Sequence, residues 1–191
     1  MSEQTLTNKE SLALITEMIG QAKRNYQKGG SFHFLLWGWV VMLANLGHYY
    51  LEGFTDYAHP YLVWVITFPA GIISALYGAR QSKRATVVSH LDRLYGQVWI
   101  AAGVGIVITL IFMRNLSFNH GAMILLFASM GTYLSGQMLR FKPLILGGLA
   151  LAAAAVVCFN ASVTDQYLVS AIGIFLGYII PGYLLKTKEN G

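Results

Sequence analysis

The residues with the most chemical capacity gather around one predicted turn. His48, Glu52, Asp56 and His59 lie within twelve positions, interleaved with Tyr49, Tyr50 and Tyr57, and His120 opens a later apolar run. Imidazole and carboxylate groups are ligands for zinc and other borderline metals, so His48, His59 and His120 form a candidate metal set. Asn45, His48, Glu52, Asp56, His59 and His120 together form a candidate ligand-binding set. Two histidines would in principle also ligate haem. The spacing matches no strong metal motif, however, and Tyr and His at a membrane boundary serve equally well as anchors. No cofactor is expected from any other pattern. The chain has no HExxH, P-loop, GxSxG or dinucleotide fingerprint after a strand, and Gly103-Val104-Gly105 sits inside an apolar run. Its single cysteine, Cys158, has no CxxC partner.

The elements that must hold these groups follow from composition. Of 191 residues, 55% are apolar and only 11% charged, whereas soluble domains carry about 25% charged residues. A membrane span needs roughly 20 mostly apolar residues. Six stretches qualify, at about 32–50, 61–79, 94–113, 122–139, 144–158 with its flanks, and 167–185, and none contains Lys, Arg, Asp or Glu. Their continuous apolarity argues against a barrel of alternating strands. The first run has no small-residue cleavage site, so it reads as a span and not as a signal peptide. The fifth follows the fourth after only Arg140-Phe141-Lys142-Pro143; two charges and a helix-starting Pro make that segment a turn. The expected fold is an all-α integral membrane protein of six transmembrane helices arranged as three hairpins.

The charges set an orientation. With both termini cytoplasmic, twelve of the thirteen Lys and Arg fall inside and only Arg114 outside, alongside Glu52, Asp56 and Asp165. The expected location is a bacterial inner membrane. Basic residues at span ends match anionic headgroups and lack the compact patch of a nucleic-acid binder, so the bilayer is the expected partner and nucleic acid is not. Residues 7–27 read as an amphipathic helix: Thr7 and Glu10 form a capping box, and Leu12, Ile15, Ile19, Ala22 and Tyr26 share one face. Such a helix suits the inner interface, the bundle ends or a cytosolic partner. The chain divides into 1–30 (helix and linker), 31–186 (membrane domain) and 187–191 (tail).

Small residues mark close helix approaches: Gly173 and Gly177, Gly131 and Ser135, Gly71 and Ala75, Ala101 and Gly105. They favour packing within the bundle over a homo-oligomer interface. Gly71, Gly131 and Gly177 each precede a basic residue by nine positions, a spacing that a threefold hairpin repeat would produce. Pro69 and Pro181 predict kinks, with Pro69 the better candidate for a bend at mid-membrane. Asn45, Thr67, Ser74 and Gln97 are expected to find partners across helices. Asn115 and Asn160 open glycosylation sequons on the predicted outer side, relevant only in a secretory-pathway host.

The segments LTNKESLALITEMIGQAKRNY, SFHFLLWGWVVMLANLGHYY, YAHPYLVWVITFPAGIISALY, RFKPLILGG and YIIPGYLLK together resemble a family of small, uncharacterised six-helix inner-membrane proteins of Bacteroidetes. The resemblance runs from about Leu6 to Lys186 and implies the same location and span plan. It carries no catalytic or ligand residues with it. With no intramembrane carboxylate to couple a proton or ion, the leading expectation is a non-enzymatic interaction or regulatory protein, partnered by membrane or cytosolic proteins. A small-solute transporter or channel and a metal-binding intramembrane enzyme or sensor are the alternatives.

Overall fold

The computed structural model describes residues 30–84 and 90–190, and within them every regular element is helical. Helix α1 is Gly30–Phe54. A 3-10 segment, Pro60–Ile66, leads into α2, Thr67–Arg84. Helices α3, α4 and α5 are His90–Ile111, His120–Met138 and Lys142–Asn160. The last rod opens as α6, Val163–Ile174, passes a π turn at Phe175–Ile179 and ends as α7, Ile180–Asn190. Each of the six expected apolar runs is therefore one helical rod. The amphipathic segment 7–27 lies outside the described residues, and the tail expected from 187 is helical as far as Asn190.

Five of the six rods are long and apolar enough to cross a membrane; α4 is the sixth. Its polarity has a cause in packing. Ser129, Thr132 and Ser135 are buried against protein, as are Ala122, Leu125, Ala128, Gly131 and Gly136. Thr132 Oγ1 donates to the Ala128 carbonyl at 2.7 Å, and Ser135 Oγ accepts from Trp99 Nε1 at 3.1 Å. A helix surrounded by other helices is free to trade Leu for small and hydrogen-bonding residues.

Helices α1, α4, α5 and the rod α6–α7 make the centre, with α2 packed on α1 and α3 on α4. Over its most apolar 18 residues the rod Val163–Asn190 has 56% of positions buried within the protein, against 6% for the 3-10 segment with α2 and 11% for α3. The most extensive pairing joins α4 to α5. There the backbones nearly touch: a Cβ on Gly136 would lie 2.6 Å from Ile145 N, and one on Gly148 2.7 Å from Tyr133 N. The turn between them closes as a Schellman motif, with Phe141 N–H donating to Gly136 O at 2.9 Å and Arg140 N–H to Gln137 O at 3.2 Å. Arg140 takes the left-handed position, at φ 48°. Between α5 and the last rod, Gly173 faces Ala154, while a Cβ on Gly147 would lie 2.7 Å from Gly177 O and one on Gly177 2.9 Å from Gly147 O. The Gly173–Gly177 pair thus packs inside the bundle.

The two prolines act differently from expectation. Pro69 is the third residue of α2, where a missing N–H leaves no gap in the helix; the distortion lies before it, in the 3-10 segment. Pro181 carries a distortion of its own. It removes the donor that Gly177 O would receive in an α-helix, and the turn above it widens so that Ile180 N–H reaches Phe175 O. The spacing of Gly71, Gly131 and Gly177 also does not reflect one shared role. Gly71 has nothing within 4 Å of its Cβ position, Gly131 meets Trp99, and Gly177 meets Leu151 and Gly147.

The charges separate by end. Ser31 binds Glu189, Phe32 stacks on Tyr77 and Phe34 packs edge-on against Trp99, which puts the start of α1, the second half of α2, the first half of α3 and the end of α7 together. Arg80, Lys83, Arg93, Arg140, Lys142, Lys186 and Lys188 occupy this end, and Arg114, Glu52, Asp56 and Asp165 the other.

Candidate functional site

The acidic end holds a polar cluster built from four elements. Asn45 and His48 stand three residues apart on α1, so one helix face presents both inward; they are 4% and 6% exposed. His48 is held on three sides. Its Nδ1 accepts from Trp64 Nε1 of the 3-10 segment at 2.9 Å, its Nε2 lies 3.5 Å from Glu52 Oε2, and its ring stacks on Tyr167 of α6 with centroids 3.9 Å apart. Trp64 donates to Nδ1, so the imidazole proton of the neutral ring sits on Nε2 and points to the carboxylate.

His120 meets Tyr167 edge-on, ring centroids 6.4 Å apart. Its Nδ1 is buried with no hydrogen-bond partner, alone in that condition among the described side chains. The connection before it is strained: Ser117 and Phe118 both have left-handed φ, 48° and 62°, and Phe118 packs its ring edge-on against His120. Deeper in, Gln166 is buried and its Nε2 donates to Asn119 Oδ1 at 3.0 Å. Cys158 is fully buried, its Sγ 3.7 Å from both Gln166 O and Ser170 Oγ, a position for packing and not for attack on a substrate. Ser162 starts α6 by accepting from Asp165 N–H at 3.1 Å, which fixes the phase that places Gln166 and Tyr167 here.

The structure thus brings His48, Glu52 and His120 around Tyr167 and leaves the others out. His59 is exposed in the α1–α2 connection, its Nδ1 3.1 Å from Tyr61 OH and its ring beside Tyr57. Asp56 is exposed in the same connection. Asn45 donates to its own helix at Val41 O, 2.8 Å, and not across to a neighbour. The candidate metal set His48, His59 and His120 does not converge, and no group of three or more His, Cys, Asp or Glu among the described residues is placed to hold a metal ion. The reason is chain direction: α1 delivers His48 while it is still within the bundle, and His59 comes eleven residues later, after the chain has left the bundle.

Of the other polar span residues, Ser74 does bridge helices, with His33 Nδ1 at 2.9 Å and Trp37 Nε1 at 3.2 Å. Thr67 bonds its own turn at Trp64 O, and Gln97 is exposed. Trp64, Tyr167, Gln166 and Asn119 were not expected in the site. The available signal was the pair Gln166-Tyr167 at the start of the last apolar run, polar enough to sit at a boundary yet one turn too deep to be solvated.

No protein-family model, curated protein or solved structure matches the chain. What stands is a multi-helix, largely apolar protein with the architecture of a multi-span membrane protein.

Proposed function

We propose that the chain is a non-enzymatic integral membrane protein of the interaction or regulatory class. All six helices then cross a bacterial inner membrane as three hairpins, with the basic end and both termini in the cytoplasm. One observation carries the choice: the middle of the bundle is closed. Gly147 against Gly177 and Gly136 and Gly148 against their neighbours leave no space between backbones. Phe34, Leu125, Leu151 and Tyr178 fill the remainder, each at most 6% exposed. A carrier needs a free polar site near mid-membrane; here the mid-helix hydroxyls of Ser129 and Thr132 are committed to carbonyls of their own helix, Leu126 O and Ala128 O. The interaction surface is then supplied by α2 and α3, whose apolar side chains Ile72, Leu76, Val104 and Val107 the protein leaves uncovered.

Flux assays on reconstituted vesicles test the choice. Potassium, proton and small-solute permeation should equal that of protein-free vesicles, and saturable flux would revive the transporter or channel. In native membranes, crosslinking from Ile72→Cys or Val104→Cys should give discrete protein adducts, with Cys158 silent because it is buried. Absence of adducts at both positions would reject the interaction role.

A second reading, an outer-face sensor for a small ligand or divalent cation, is favoured by the buried, unpartnered Nδ1 of His120 beside Tyr167. A zinc-induced rise in melting temperature that disappears in His48→Ala and His120→Ala but persists in His59→Ala would support it. An equal response in all three variants would reject it.

A further inference from the structure

The basic half of the last rod carries a groove that the functional cluster does not use. It is an open, almost wholly apolar depression of about 400 Å³, lined by Trp39 of α1 and by Phe175, Ile179, Ile180, Tyr183 and Thr187 of the rod. The groove begins at the π turn, and Ile180, Tyr183 and Thr187 continue it along one face at helical spacing. Its two walls are tied by Trp39 Nε1 donating to Tyr183 OH at 3.3 Å. That bond uses the oxygen of Tyr183 and leaves its own proton to donate elsewhere.

The charges nearby are unevenly committed. Glu189, the one carboxylate at this end of the rod, accepts from both Ser31 N–H and Ser31 Oγ at the start of α1. Lys188 lies over the Phe141 ring, 5.0 Å from its centroid. Lys186 is exposed, one turn beyond Tyr183, and pairs with no carboxylate among the described residues. An open apolar groove ending at a free phenolic proton and a free ammonium complements one chemistry: a hydrocarbon chain with an anionic phosphate at its head.

We propose that the groove beside Trp39 and Tyr183 binds one anionic phospholipid of the basic-side leaflet, its acyl chain along Ile180 and its phosphate between Tyr183 OH and Lys186. Native mass spectrometry of the full chain in detergent tests it, titrating phosphatidylglycerol and phosphatidylcholine of identical acyl chains. The first bound lipid should favour phosphatidylglycerol by about fivefold, the value of one headgroup cation. Lys186→Gln should abolish the preference, whereas Lys142→Gln, a charge at the same end but away from the groove, should keep it. Ile180→Trp, an exposed substitution that fills the groove, should lower retention of both lipids, and excess inorganic phosphate should displace neither. Equal retention of the two lipids would overturn the proposal. So would an equal loss in Lys142→Gln, unchanged retention in Ile180→Trp, or displacement by inorganic phosphate.

Discussion

The centre of the molecule and its two flanking helices solve different problems with the same residue types. In the centre, Gly136, Gly147, Gly148, Gly173 and Gly177 are there because a methyl group would collide with a neighbouring chain. On the flanks, Gly71, Gly78, Gly96 and Gly103 have open space at the same position. Helix α3 shows both cases two residues apart: Gly105 faces α4 and would meet the Phe127 ring, while Gly103 faces out. Lipid tails are as apolar as leucine, so helix association in a membrane gains from close contact and hydrogen bonds more than from burial. Glycine matters here where it permits that contact, and its abundance alone says little.

The contrast breaks most readily at α4–α5. Gly148→Ala or Gly136→Ala should each cost about 1–3 kcal/mol or more, since the new methyl meets backbone that has nowhere to go. Gly71→Ala and Gly103→Ala should be neutral or gain up to about 1 kcal/mol from reduced chain entropy. SDS-titrated unfolding compares the four, and similar losses on the flanks would erase the distinction. Polar bonds should follow the same ranking with smaller steps. Trp64→Phe leaves His48 Nδ1 buried and unpaired and should cost about 1–3 kcal/mol, against about 0.5–1.5 kcal/mol for Ser74→Ala in the α1–α2 clasp. A larger loss at Ser74 would make the α1–α2 clasp the more important polar site. The smallest expected change is a gain: Arg140→Gly relieves the left-handed residue of the α4–α5 turn and should raise stability by about 0.5–1 kcal/mol. No gain would mean that the arginine side chain compensates for its own backbone.

How far the sequence reached follows from the same physics. Each rod was legible, because hydrocarbon length sets a minimum apolar run and charges cannot enter it. The short turn at Arg140–Pro143 and the gathering of charge at two ends followed from that. Which helix lies in the middle was not legible. In water, a buried face differs from an exposed one in polarity; in lipid both are apolar, so the burial of α4 and the exposure of α2 leave only faint marks. Ser129, Thr132 and Ser135 were such marks for α4. Within the candidate site, the expected set of six divided along the chain. His48 and Glu52 are one turn apart on a rigid helix and kept their relation, whereas His59 depended on a connection whose path no periodicity describes. Tyr167 and Trp64 were brought in by packing between elements distant in sequence.

The π turn has a consequence for the whole last rod. Gln166, Ser170, Ile174, Tyr178 and Gly182 recur at intervals of four and are all buried. On an α-helix each such step drifts by about 40°, so four steps would swing the stripe by about 160°, off one partner and onto bare lipid. The residue added by the π turn returns about 100° of that drift, and the deviation sits where Pro181 already forbids the ordinary bond. The rod therefore keeps one seam from the histidine cluster at one end to the Ser31–Glu189 pair at the other. Its two halves are in phase only because one turn is too wide, which makes Pro181 the residue that keeps the molecule's ends in register.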